Sequence, residues 1–93
     1  MDKSIILPWS KENIESKTPA GCGVLMLRST PVNGDIIIIQ ISEDLRADFL
    51  AFFAKGMDDV KYFDWYSTST PEEAKSVKEE LVKRYHLTSQ DNI

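Results

Sequence analysis

Two apolar, β-favouring runs constrain this chain more than any other feature: Gly23 to Arg28 (GVLMLR) and Asp35 to Ile41 (DIIIIQI). Between them stands Ser-Thr-Pro-Val-Asn-Gly, in which Asn33-Gly34 supplies the positive-φ positions that a turn between antiparallel strands requires. The pair predicts a β-hairpin. Downstream, Ser42 followed by Glu43-Asp44 reads as a side-chain cap with acids in the first helical turn, and Leu45, Phe49, Phe52 and Phe53 then recur at helical spacing up to Gly56.

A third strand is predicted over Val60 to Tyr66, with Val60, Tyr62 and Tyr66 facing one way and Phe63 and Trp65 the other. Thr70-Pro71-Glu72-Glu73 starts the last helix: Thr70 caps it, Pro71 takes the first helical position and Glu73 completes a capping box. Ala74, Val77, Leu81 and Tyr85 form its inward stripe, and the polar tail from Leu87 to Ile93 frays. Upstream of the hairpin, Ser10 caps a short helical turn that Thr18-Pro19 breaks. The order β-β-α-β-α, preceded by that short N-terminal helix, implies an α+β fold: a small three-stranded antiparallel sheet with flanking helices.

Composition narrows the function classes. With 93 residues the chain holds one core, and its 42% apolar content is enough to build it. Cys22 is the only cysteine, so an internal disulfide is excluded and a reducing compartment, the cytoplasm by default, is expected; a buried or half-buried structural thiol outweighs a nucleophile. The apolar patch within Met1 to Ile6 is too short for a signal-peptide core, and no apolar run approaches a membrane span. His86 is the only histidine, which excludes a His-pair metal site, and it falls where a helix C-terminus favours partial positive charge. A net charge of −4 repels nucleic acid unless basic residues are gathered on one surface.

Several landmarks then line up: Pro19, Gly21 and Gly23-Val24 opening a strand, the strand Ile36 to Ile39, Ser-Glu-Asp-Leu-Arg from Ser42 to Arg46, and Glu72-Glu73-Ala74 ahead of Leu-Val-Lys-Arg-Tyr. In these residues the stretch from 19 to 86 resembles the GIY-YIG domain of homing endonucleases and of the incision nuclease of bacterial excision repair. The resemblance divides the chain into an N-terminal segment (1–18), a GIY-YIG-like domain (19–86) and a tail (87–93). It also implies where catalytic groups belong, and this chain departs from the pattern at each. The two tyrosines of the family fall on Leu25 and Ile38, with the motif glycine at Gln40; its arginine falls on Asp48, its metal-holding glutamate on Lys78, and its late asparagine near Gln90. Two hydroxyls are absent and two charges reversed, so no metal site, cofactor or phosphodiesterase chemistry is expected. Arg46 does not replace the arginine, since it lies about 200° around the helix from Asp48.

Two functions of different class follow from the resemblance. In the first, the domain is catalytically inactive and serves as a protein-interaction or scaffold module. Its former catalytic surface, Leu25, Ile38 and Gln40 between charged residues, then binds a partner, and the strand Ile36 to Ile39, at a sheet edge, adds a strand from a partner or from a second copy. A strand buried on both faces, its isoleucines merely core, is the equal alternative. In the second function, a nucleic-acid-binding or rearranged metal-dependent nuclease domain, Arg46, Lys78 and Lys83 contact phosphates. Tyr62, Phe63, Trp65 and Tyr66 offer rings for base stacking, although half of them must cover the core in any case.

Overall fold

A computed structural model of the chain describes residues 2–31 and 35–85. Its elements are β1 (Asp2–Lys3), β2 (Leu7–Pro8), α1 (Lys11–Lys17), β3 (Gly23–Arg28), β4 (Ile36–Ser42), α2 (Leu45–Ala54), β5 (Tyr62–Ser67) and α3 (Pro71–Arg84). β3 and β4 form the expected antiparallel hairpin, in register from Gly23 opposite Ser42 to Leu27 opposite Ile38, with a bulge before Arg28 meets Ile36. The Asn33-Gly34 turn, His86 and Gln90 lie outside the described residues.

β5 returns on the other side of β3, with Gly23 opposite Ser67 and Leu27 opposite Phe63. That makes β3 the central strand, and all six of its residues are buried. β1 and β2 both pair with β5, giving the order β1-β5-β3-β4 with β2 beside β5. The α+β class and the antiparallel sheet agree with the sequence, but the sheet has five strands where three were expected. The two additional strands carry two residues each, too few for any periodicity to register. The segment before residue 19 thus contributes β1 and β2, both paired with β5.

Strand alternation sends the sheet's side chains to two helical layers. Leu25, Leu27, Phe63 and Trp65 pack with Ile14 of α1 and with Leu45 and Phe49 of α2. Val24, Met26 and Ile39 pack with Ala74 and Leu81 of α3. The first layer is ring-rich: Phe49 meets Phe63 at 4.9 Å and Trp9 meets Phe63 at 5.3 Å, both edge to face. Phe63 and Trp65 are thus core rings rather than a base-stacking surface.

Caps fix the helix starts. Ser10 accepts from Asn13 N at 3.1 Å, as expected. For α2 the cap is Asp44, not Ser42, because β4 continues through Ser42 and the chain first turns two residues later. Ser42 accepts from Asp44 N at 3.1 Å and donates to Asp48 at 2.6 Å, tying the strand end to the helix. Thr70 caps α3 by accepting from Glu73 N at 3.1 Å, while Glu73 reaches back to Ser69 N at 2.7 Å. The inward stripe of α3 is Ala74, Lys78 and Leu81, with Val77 only half-buried, so the helix is rolled slightly from the orientation that its apolar residues alone suggest.

Gly23 shows how tightly β3 is held. A Cβ there would lie 2.0 Å from the Tyr66 carbonyl oxygen, a backbone atom that cannot swing aside, whereas Gly21 has nothing within 4 Å. Gly23→Ala should destabilise the domain by about 1–3 kcal/mol, as overpacking does. Gly21→Ala should leave the melting temperature nearly unchanged. Thermal unfolding of the two variants checks this, and equal melting temperatures would sink the argument.

Candidate functional site

The positions singled out by the resemblance do not share one surface. Leu25 is 0% exposed, in the core beneath α1 and α2. Ile38 is half-buried against the same cluster. Lys78 is on the other side of the sheet, 5% exposed under α3. Arg46 donates from Nε and Nη2 to the Thr18 carbonyl oxygen at 3.0 and 2.8 Å, a bond that ties α2 to the segment after α1. The expected patch with Leu25 at its centre is therefore corrected: strand alternation and α2 bury that centre, and only Gln40 and Asp48 remain beside open space.

Gln40 and Asp48 line a hollow of about 190 Å³ between β4 and α2, together with Ala51, Phe52 and Lys55. Lys55 lies over the Phe52 ring at 5.1 Å. Asp48 accepts from Ser42, and no group of three or more His, Cys, Asp or Glu side chains able to hold a metal ion occurs among the described residues. A second hollow, of about 200 Å³, lies between α3 and β5, lined by Tyr66, Val77, Glu80, Leu81 and Arg84. Cys22 is half-buried, its Sγ 3.2 Å from the Thr68 carbonyl oxygen.

Sequence reading missed a charged cluster inside the α3 layer. Asp64 is fully buried and receives Arg28 Nε at 2.7 Å and Nη2 at 3.0 Å, a two-point pairing on one carboxylate. Lys3 of β1 reaches the same carboxylate at 2.6 Å from a side chain that is 36% exposed. One sequence signal pointed here: Asp64 alternates with Tyr62 and Tyr66, and Arg28 with Val24 and Met26, so each is the charged member of an inward-facing set. The cluster joins β1, β3 and β5 and is read as structural.

No family model, curated protein or solved structure matches the chain. The site must therefore be argued from the sheet itself, and its two edges differ sharply. At one edge β1 and β2 are two residues long and interrupted: Ser4 N and Oγ bridge to Trp65 at 2.9 Å, Ile5 stands 74% exposed, and Pro8, opposite Tyr62, has no N–H to offer. Short strands, a break and a proline are the devices that keep a sheet edge from recruiting another strand.

β4 has little of that protection. It runs seven residues, Ile-Ile-Ile-Ile-Gln-Ile-Ser, with no charge and no proline, and among the described residues it pairs only with β3. Its side chains pack partly against both layers, Ile37 and Ile38 on the α1 and α2 side and Ile36, Ile39 and Ile41 on the α3 side, and only Ile39 and Ser42 are buried. The bulge near Ile36 is its single irregularity. No helix among the described residues is long and apolar enough to cross a membrane.

Proposed function

We propose that this chain is a catalytically inactive, GIY-YIG-like interaction module that accepts an extended segment of a partner protein along β4. The observation that supports it is the asymmetry of the sheet: one edge is made of two interrupted two-residue strands that include Pro8, while the other offers a seven-residue uncharged strand with a single bulge near Ile36. Added strands gain affinity from main-chain hydrogen bonds, and side-chain pockets beside the edge give selectivity. The hollow next to Gln40 is such a pocket. A single half-buried cysteine suits the same role in a reducing compartment such as the cytoplasm.

Inactivity follows from what occupies the motif positions: leucine and isoleucine for the hydroxyl groups, Asp48 and Lys78 with reversed charge. The nucleic-acid reading keeps only Lys83 of its three phosphate contacts on open surface, because Arg46 is bonded to Thr18 and Lys78 is 5% exposed.

The test is a titration of isotope-labelled protein with a capped, neutral Thr-Val repeat peptide, following backbone amides by NMR. Shifts concentrated on residues 36–42, with slowed amide exchange there, are expected; the same peptide carrying a central proline should produce none. Shifts that ignore β4, or a proline peptide that binds equally well, would overturn the reading. Branched and single-stranded DNA with magnesium, in parallel, should remain uncut.

A further inference from the structure

Resting on the strand-accepting role proposed for β4, we infer that its partner is an apolar extended segment bordered by basic residues, and not a second copy of this chain. The charges around the edge carry the argument. Asp35 precedes β4 and is exposed, while exposed Glu43 and half-buried Asp44 follow it. Asp48 stands in the hollow beside Gln40, where Lys55 is the only base. Four carboxylates therefore stand against two cations, Lys55 and Arg46, along this border. On the opposite face, α3 adds no net charge: Val77, Glu80 and Arg84 border the hollow beside β5, and helical geometry then turns Lys75 and Glu79, one of each sign, toward β4. Arg46 keeps its charge, but its guanidinium is held at the Thr18 carbonyl oxygen and does not line the hollow.

Self-pairing meets the same charges unfavourably. The fullest antiparallel pairing of β4 with another β4 is centred on Ile39, and it sets Asp35 opposite Glu43 of the second copy at both ends. Like charges directly opposite across a strand pair destabilise it, and the net charge of −4 adds general repulsion between copies. A partner strand with lysine or arginine at its ends reverses both effects. An arginine whose side chain enters the hollow would lay its stem on Phe52 and point its guanidinium at Asp48 and Gln40.

The experiment uses two synthetic peptides with the same Thr-Val-Thr-Val-Thr-Val core, one with two lysines at each end and one with two glutamates. At low salt the lysine peptide should bind about 10-fold more tightly, and the ratio should shrink strongly near 1 M salt, where the screening length falls to about 3 Å. In the double variant Asp35→Lys with Glu43→Lys the preference should invert. Equal affinities, or no change in preference in the double variant, would overturn the basic-partner inference while leaving strand acceptance intact. Failure of both peptides to move the amides of residues 36–42 would instead remove strand acceptance, and this inference with it. Sedimentation of the protein alone should give a monomer; a concentration-dependent dimer whose amide shifts follow β4 would make a second copy the occupant and overturn the inference.

Discussion

Asp64→Ala is expected to destabilise the domain by about 3–5 kcal/mol, the range for removing one partner of a buried ion pair. The cost does not measure the strength of the pair. It arises because Arg28 is 1% exposed and would keep its guanidinium in place without the carboxylate that takes both Nε and Nη2. Lys3, by contrast, shares the same carboxylate from a side chain that is 36% exposed and can turn to water. Lys3→Ala should therefore cost no more than about 1 kcal/mol. Replacing both members of this pair, Arg28→Met with Asp64→Leu, should recover most of the loss, since apolar residues of similar volume leave neither of the two charges behind. Urea unfolding of the four proteins provides the ranking. If Asp64→Ala costs no more than Lys3→Ala, the cluster does not hold β1, β3 and β5 together.

The same residues show what the sequence made legible. The hairpin, α2 and α3 were readable because their signals are local: strand period, helical spacing and capping side chains all act within a few residues. The pairing of Arg28 with Asp64 joins positions 36 residues apart, so alternation could mark each as inward-facing but not as neighbours. The edge status of β4 was equally hidden, because it depends on whether β5 docks on β3 or on β4, and nothing within either strand decides that. Leu25 was misplaced for a different reason. A motif assigns a role by position along the chain, whereas burial is set by α2 crossing above β3, and the apolar side chain followed burial. The reading of α3 failed by one residue in the same sense: Lys78 is long enough to lay its stem under the helix, so an apolar stripe counted from sequence missed it.

Phe49→Ala should be the other severe substitution, at about 3–5 kcal/mol for an aromatic side chain removed from a closed core. The Phe49 ring is 0% exposed and touches three rings from two other segments: Phe63 at 4.9 Å and Trp65 at 6.1 Å on β5, and Trp9 at 6.1 Å between β2 and α1. The neighbours Ile14, Leu25, Leu27 and Leu45 are themselves fully buried and already packed, so the cavity closes only in part and adds its cost. Phe52→Ala, on the same helix, removes a half-buried ring that borders the open hollow, and should cost far less. Chemical unfolding followed by tryptophan emission separates the two, because Trp9 and Trp65 both report on the Phe49 layer. A domain of this size has about 5–15 kcal/mol of total stability, so Phe49→Ala brings it close to unfolding while Phe52→Ala does not. The comparison also bears on the edge. Phe49 anchors α2, and α2 carries Asp48, Ala51 and Phe52, the wall of the hollow beside Gln40. Phe52→Ala should therefore weaken binding of a strand peptide while leaving the fold intact. Equal unfolding costs for Phe49→Ala and Phe52→Ala would mean that α2 is not anchored through Phe49 at all.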